Sequence, residues 1–164
     1  MKNISIIVAI AENNGIGKNN DLLWHISADM KRFKQITLNH TVIMGKNTYL
    51  SLPVRPLKNR RNIVITDNPS DLFEGCVTVY SVDEAINNCN KNEESFIIGG
   101  ASIYRQFLPH ADRLYLTRVN RSFDADTFFP EIVEEEWEEI SRESPGSDSQ
   151  NDFTYDFIIL KRKN

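Results

Sequence analysis

Apolar and polar positions follow two rhythms along this chain, and the switches between them mark out its elements. Residues 4–11 (Ile-Ser-Ile-Ile-Val-Ala-Ile-Ala) are a nearly continuous, largely β-branched run. That is the mark of a strand covered on both faces. Shorter runs at 41–44, 62–66, 76–80, 95–98 and 114–119 predict further strands. Residues 153–160 alternate and then turn fully apolar; with the turn-rich Ser144-Pro-Gly-Ser-Asp stretch before them, they predict an antiparallel closing strand. Helical spacing fills the intervals. A helix is expected from Ser27, which sits where an N-cap is wanted, and another opens at Gly45-Lys46-Asn47-Thr48. Ser81-Val-Asp-Glu84 is a capping box that begins a helix over 81–89, and 101–108 reads as a fourth.

Strands alternating with helices, then a hairpin-like end, predict an α/β fold: a three-layer sandwich around a mostly parallel, twisted sheet with an antiparallel C-terminal strand. No internal repeat or interdomain linker is visible, so residues 1–164 are expected to form a single domain. Ligands in such sheets lie beyond the carboxyl ends of the strands. Here those ends are 9–11, 44–45, 65–66 and 98–99.

The stretch 15–33 stands out because a long polar loop joins the first strand to the first helix. Loops of about a dozen residues inside a compact domain tend to be lids or binding segments. In the helix that follows, Asp29 shares a face with Phe33 and Ile36. A first-turn carboxylate can simply complement the helix dipole, worth about 0.3–1 kcal/mol. Alternatively the face is a pocket wall, where a desolvated carboxylate of raised pKa grips an amide-like heterocycle through two hydrogen bonds.

Composition narrows the function classes. Hydrophobic residues make up 40% of the 164 and charged residues 26%, as in an ordinary soluble globular protein. A net charge of -4 and a pI near 5.4 give no electrostatic argument for nucleic acid or an anionic membrane. The apolar start lacks a basic leader and a cleavage signature, and no run approaches the ~18 apolar residues of a membrane span. Cys76 and Cys89 are in no CxxC or His-paired spacing, and His25, His40 and His110 are scattered. Reduced thiols, a cytoplasmic location and no metal site are expected.

Several motifs offer anion chemistry. Gly15-Ile16-Gly17 lacks the third glycine of a dinucleotide fingerprint, since Asn20 stands there, and no helix follows directly. Lys46 at a helix start suits a phosphate, though a capping turn with a solvated lysine reads equally well. Residues 53–61 form a proline-punctuated basic loop whose guanidinium groups suit a carboxylate. Gly99-Gly100 between strand and helix lets bare backbone approach a pyrophosphate, or makes a simple tight turn.

Taken together, Gly15-Ile-Gly-Lys, Leu-Leu-Trp24, Asp29 with Phe33-Lys34, Val-Ile-Met-Gly-Lys-Asn-Thr48, Arg55-Pro-Leu, Arg60, Ile-Ile-Gly-Gly-Ala-Ser-Ile-Tyr104 and Tyr-Leu-Thr117 strongly resemble dihydrofolate reductases of the bacterial type. The match runs over essentially the whole chain. The resemblance implies reduction of 7,8-dihydrofolate to tetrahydrofolate with NADPH, by a monomer sensitive to antifolate inhibitors. It implies that Asp29, aided by Thr117, holds the pterin, with Leu22 at the tip of a mobile lid and Trp24 beside the ring. Ile7, Val8 and Ile98 would frame the pterin, and Phe33, Leu52 and Leu57 the benzoyl group. Arg60 would pair with the glutamate α-carboxylate, near Lys34 and Arg55. On the cofactor side it implies Ala9, Ile16, Gly17, Asn20 and Asp21, then Gly45, Lys46, Asn47, Thr48, Ile65 and Thr66 toward the adenosine half. Gly99, Gly100, Ala101, Ser102, Ile103 and Tyr104 would serve the pyrophosphate and nicotinamide.

Four departures from the family pattern bear on function. Leu23 stands where proline is common, and Lys46 where arginine is frequent. Asp67 lies beside the expected 2′-phosphate site, and Val54 looks inserted before the basic loop. The related pyrimidine reductases of riboflavin synthesis share the fold, but Arg60 with Phe33 argues against a phosphoribosyl substrate. A non-catalytic pterin or nucleotide binder is the remaining alternative.

Overall fold

A computed structural model describes residues 3–19, 21–147 and 152–164. Its organising element is an eight-stranded sheet in the order β5-β4-β3-β6-β1-β7-β10-β9. The strands are β1 (Ile4–Ile10), β3 (Thr41–Gly45), β4 (Arg61–Ile65), β5 (Val77–Val79), β6 (Ser95–Gly99), β7 (Arg113–Val119), β9 (Trp137–Ser147) and β10 (Thr154–Arg162). The six from β5 to β7 run parallel; β10 is antiparallel to β7, and β9 to β10. A two-stranded ribbon pairs β2 (Gly15–Gly17) with β8 (Thr127–Phe128).

Alternation along β1 builds the layers. Ile4, Ile6, Val8 and Ile10 enter a core on one face, where Ile103, Tyr104 and Phe107 of α4 (Ala101–Phe107) and Ala85 of α3 (Val82–Asn87) cover them. Ile7 points to the opposite face. There it joins Val42, Met44 and Tyr49 of α2 (Lys46–Ser51), with Phe33 and Ile36 of α1 (Ser27–Thr37) packed against them. A third cluster, Ile26, Val119, Phe153, Tyr155 and Phe157, closes the end where α1 begins. These are the three layers the hydrophobic pattern predicts.

Local expectations fare unevenly. Ser81 accepts from the Glu84 amide at 3.1 Å as the capping box requires, while the Glu84 carboxylate reaches back one residue further than the box predicts, accepting from the Tyr80 amide at 2.8 Å. Ser27, by contrast, is not the N-cap of α1. Ile26 takes that place, offers no side-chain cap, and is only 1% exposed. Burial of that isoleucine, rather than a hydroxyl, decides where the helix starts. Residues 144–147 are not a turn, since they belong to β9, while Asp148 lies outside the described residues. That edge strand is largely exposed and charged, so its pairing with β10 overrides weak strand propensity. The ribbon β2–β8 has no counterpart in the sequence pattern, because strands of three and two residues have no readable period.

Phe107 is fully buried between α4 and the sheet. Phe107→Ala is expected to destabilise the fold by about 3–5 kcal/mol, while Leu72→Ala, at a site 84% exposed, stays within about 0.5 kcal/mol. Urea unfolding midpoints of the two variants check this directly.

Candidate active site

The carboxyl ends of the parallel strands converge on Asp29. In the β1–β7 ladder Ala9 pairs with Thr117, and β10 sets Phe157 beside Thr117 on the other side. Thr117 is 2% exposed, so its hydroxyl must find a partner within the protein; it donates to Asp29 Oδ1 of α1. Burial raises the Asp29 carboxyl above its ordinary range, while the Thr117 hydrogen bond and the charge of Arg32 draw it part of the way back. This decides between the two readings of Asp29. It is a partly buried, hydrogen-bonded group, not a solvated cap.

The expected walls lie around it. Ile7 and Val8 are buried, and Ala9 and Ile98 are half-buried at their strand ends. Phe33, Leu52 and Leu57 pack on the same cluster as Ile7 and Ile98. Trp24 belongs instead to the third cluster, with its ring 5.2 Å from that of Phe123. Arg60 is tethered toward Phe33: its guanidinium donates to Thr37 Oγ1 at 3.2 Å, and Thr37 donates to the Phe33 carbonyl at 2.8 Å. Asn62 holds the basic loop in place, donating to the carbonyls of Leu57 and Arg60, each at 2.9 Å. Arg55 turns elsewhere, with its guanidinium 5.6 Å over the Tyr49 ring and donating to the Leu50 carbonyl. Lys34 is exposed.

Glycines end the neighbouring strands β3 and β6. The Gly99–Gly100 peptide is cis, and Gly99 has a φ of 134° that side chains rarely adopt. A Cβ on Gly99 would stand 3.2 Å from Thr48 Oγ1, and one on Gly100 3.4 Å from it, so bare backbone keeps the space between the two turns open. A Cβ on Gly45 would come 3.0 Å from Ile103. Tyr104, from the following helix, donates to the Ile7 carbonyl at 3.0 Å; burial and the nearby Asp29 charge push its phenol up strongly. A cradle that a side chain would fill is what a dinucleotide's pyrophosphate requires, so these residues fit NADP(H). Ala101 is half-buried and Ser102 exposed at the start of α4, while Asn47 and Thr48 lie in the first turn of α2 and Ile65 ends β4.

The loop after β1 is tied down more than its polarity suggests. Ile16 packs against the main core, and Gly17 accepts from the Asp126 amide at 3.0 Å. Lys18 pairs with Asp124, and the Asn19 amide donates to Asp126 at 2.9 Å. Asp21 accepts from the Leu22 amide, and Leu22 itself stands 69% exposed. Asn20 lies outside the described residues. Two groups escaped the sequence reading. Arg32, one helical turn from Asp29, stacks 4.4 Å over Phe157, and its i+3 spacing was the available signal. Asp71 ion-pairs with Lys46 at 2.9 Å, and nothing in its local sequence announces that.

Among the described residues no cluster of His, Cys, Asp and Glu could hold a metal ion, and neither cysteine is in a disulfide. A partly buried, hydrogen-bonded carboxylate and a bare-backbone glycine turn, both at the ends of parallel strands, fit a nucleotide-dependent enzyme of the α/β class. The chain belongs to the dihydrofolate reductase family, whose model matches residues 3–162. It is 44% identical over 161 residues to the dihydrofolate reductase of Bacillus subtilis strain 168, covering 98% of this chain and 95% of that one. It is 41% identical to the type 3 enzyme of Salmonella typhimurium, covering 98% of each. A solved dihydrofolate reductase from Enterococcus faecalis, complexed with NADP(H) and RAB-propyl, superposes with a TM-score of 0.90 at 34% identity, covering 98% of this chain and 96% of that one.

Because the folded protein holds the Asp29 proton more tightly than the unfolded chain does, stability falls as pH rises from about 3.9 through the raised folded value. Asp29→Asn removes that ionisation. At pH 8 the variant is expected to melt above the wild type, with the gap closing below about pH 4; a variant that melts lower at pH 8 would show the charge to be net stabilising.

Proposed function

We infer that this chain is an NADPH-dependent dihydrofolate reductase that turns 7,8-dihydrofolate into the 5,6,7,8-tetrahydrofolate of one-carbon metabolism, with Asp29 as its central residue. The observation that carries the assignment of roles is the Thr117–Asp29 hydrogen bond, set at the strand ends next to the glycine cradle. Asp29 accepts from a ring N–H and the exocyclic amine of the pterin, a planar two-donor edge that matches a carboxylate's two oxygens. Ile7 and Ile98 frame the ring and keep water from it, whereas the Val8 side chain points into the opposite core and borders the ring only through its backbone. Phe33, Leu52 and Leu57 line the benzoyl path, which leads to Arg60, whose fork pairs with the glutamate α-carboxylate.

The reaction needs a proton at N5 and a hydride at C6. NADPH, when bound in the cradle of Gly99 and Gly100, supplies the hydride. Asp29 is the ionisable group the pocket offers for the proton, given directly or through a water it orients. Its raised pKa brings it closer to working pH than an ordinary carboxylate would be. Tyr104, locked on the Ile7 carbonyl, fixes the distance between the glycine turn and β1. Closure of the 15–23 segment over the site, with Leu22 at its tip and Trp24 behind it, would exclude water.

The site draws Asp29, Thr117, Arg60 and the glycine pair from one chain and one continuous sheet, which supports a monomer built as a single domain. No described helix is long and apolar enough to cross a membrane. On the same reading the enzyme is cytoplasmic, and its site is the expected target of antifolate inhibitors.

Following NADPH absorbance with dihydrofolate, Asp29→Asn is expected to lower kcat/KM by about 10²–10⁴-fold. Turnover within a factor of three of the wild type would remove Asp29 from its role. Arg60→Gln should act on binding instead, raising the KM for dihydrofolate roughly 10- to 100-fold at nearly unchanged kcat.

A further inference from the structure

The cation expected to meet the cofactor's adenosine half is already engaged. Lys46 donates to Asp71 Oδ2 at 2.9 Å, and the Thr66 hydroxyl donates to the same oxygen at 2.5 Å. The Asn68 amide stands 3.5 Å from the other oxygen, Oδ1. The carboxylate is held there by its own backbone. Its amide donates to the Asn68 carbonyl at 3.0 Å, and its carbonyl accepts from the Tyr80 hydroxyl at 3.2 Å. The Asp71 side chain is 18% exposed and that of Lys46 39%, so the pair is partly buried beyond the carboxyl ends of β3 and β4 rather than in open solvent.

An ammonium, a buried hydroxyl and an amide converging on one anion are the donor set of a phosphate site, and here the chain fills it with its own carboxylate. We propose that Asp71 is an internal anion that competes with the cofactor's 2′-phosphate for Lys46 and Thr66, and so sets how strongly the enzyme prefers a 2′-phosphorylated dinucleotide. The proposal rests on the reading above that Lys46 and Thr66 face the adenosine half. The hydrogen bonds from Thr66 and Lys46 also hold the Asp71 carboxyl below the usual carboxylate range, so it is ionised at neutral pH. A phosphate entering the groove must displace Asp71 from Lys46 or sit beside its charge. Asp67, exposed next to Thr66 in the chain, brings the balance to two carboxylates against one ammonium. A lysine is a point charge on one stem and serves two anions poorly, whereas an arginine's fork can bridge them.

Calorimetric titration of the apoprotein with NADP+, NAD+, 2′,5′-ADP and 5′-ADP tests this without turnover. Asp71→Asn should tighten NADP+ and 2′,5′-ADP on the order of tenfold while moving NAD+ and 5′-ADP by less than about twofold. Lys46→Arg, which leaves Asp71 in place, should shift the same ratio in the same direction. Lys46→Gln should weaken NADP+ more in the Asp71→Asn background than in the wild type, because only there is the ammonium unopposed. An unchanged NADP+/NAD+ ratio in Asp71→Asn, or weaker NADP+ binding, overturns the proposal. If Lys46→Gln still weakens NADP+ in that case, the adenosine site stands and only the role of Asp71 fails. If Lys46→Gln has no effect even in the Asp71→Asn background, the adenosine half lies elsewhere and both readings fall.

Discussion

A single hydrogen bond, from the buried Thr117 hydroxyl of β7 to the Asp29 carboxylate of α1, is the constraint around which the molecule is arranged. Without a partner, a hydroxyl at 2% exposure would leave a buried polar group unsatisfied, at a penalty of about 1–3 kcal/mol. With Asp29 as that partner, the helix is pinned to an interior strand of the sheet and the carboxylate is fixed in place. The same burial that raises its pKa makes the group useful. The site thus keeps an ionisable group that folding alone would not choose.

Parallel pairing turns that one contact into a complete site. Because β3, β4, β6, β1 and β7 all end on the same side, Thr117, Ile7, Gly99, Gly45 and Thr66 arrive together although they are spread over most of the chain. Glycines occupy the two turns whose backbones pass closest, where any side chain would meet Thr48 or Ile103. Tyr104 ties α4 to the Ile7 carbonyl, so the glycine turn and β1 are held together.

The two ends of the cleft treat anions differently. At the end proposed for the glutamate, Arg60 is anchored through Thr37 and pairs with no acidic side chain among the described residues. At the adenosine end Lys46 is held by Asp71. One end is preset for an anion, and the other already contains one. That contrast bears on how a family with a shared fold adjusts its affinity for each half of the nucleotide without altering the reacting centre.

Sequence patterning was sufficient for the buried strands, the capping box at Ser81 and the face shared by Asp29 and Phe33. Each is dictated by near neighbours: β-branched runs, a hydroxyl three residues before a glutamate, and helical spacing. The family resemblance brought the remaining site residues together on paper, among them Arg60 and the Gly99-Gly100 pair. Tertiary structure alone decided the rest. The start of α1 at buried Ile26, the strand identity of 144–147, the β2–β8 ribbon, the turning of Arg55 onto Tyr49 and the capture of Lys46 by Asp71 all depend on contacts between distant segments. Local propensity carries no record of such contacts, because the energy that selects them, burial and long-range hydrogen bonding, exists only once the chain has packed.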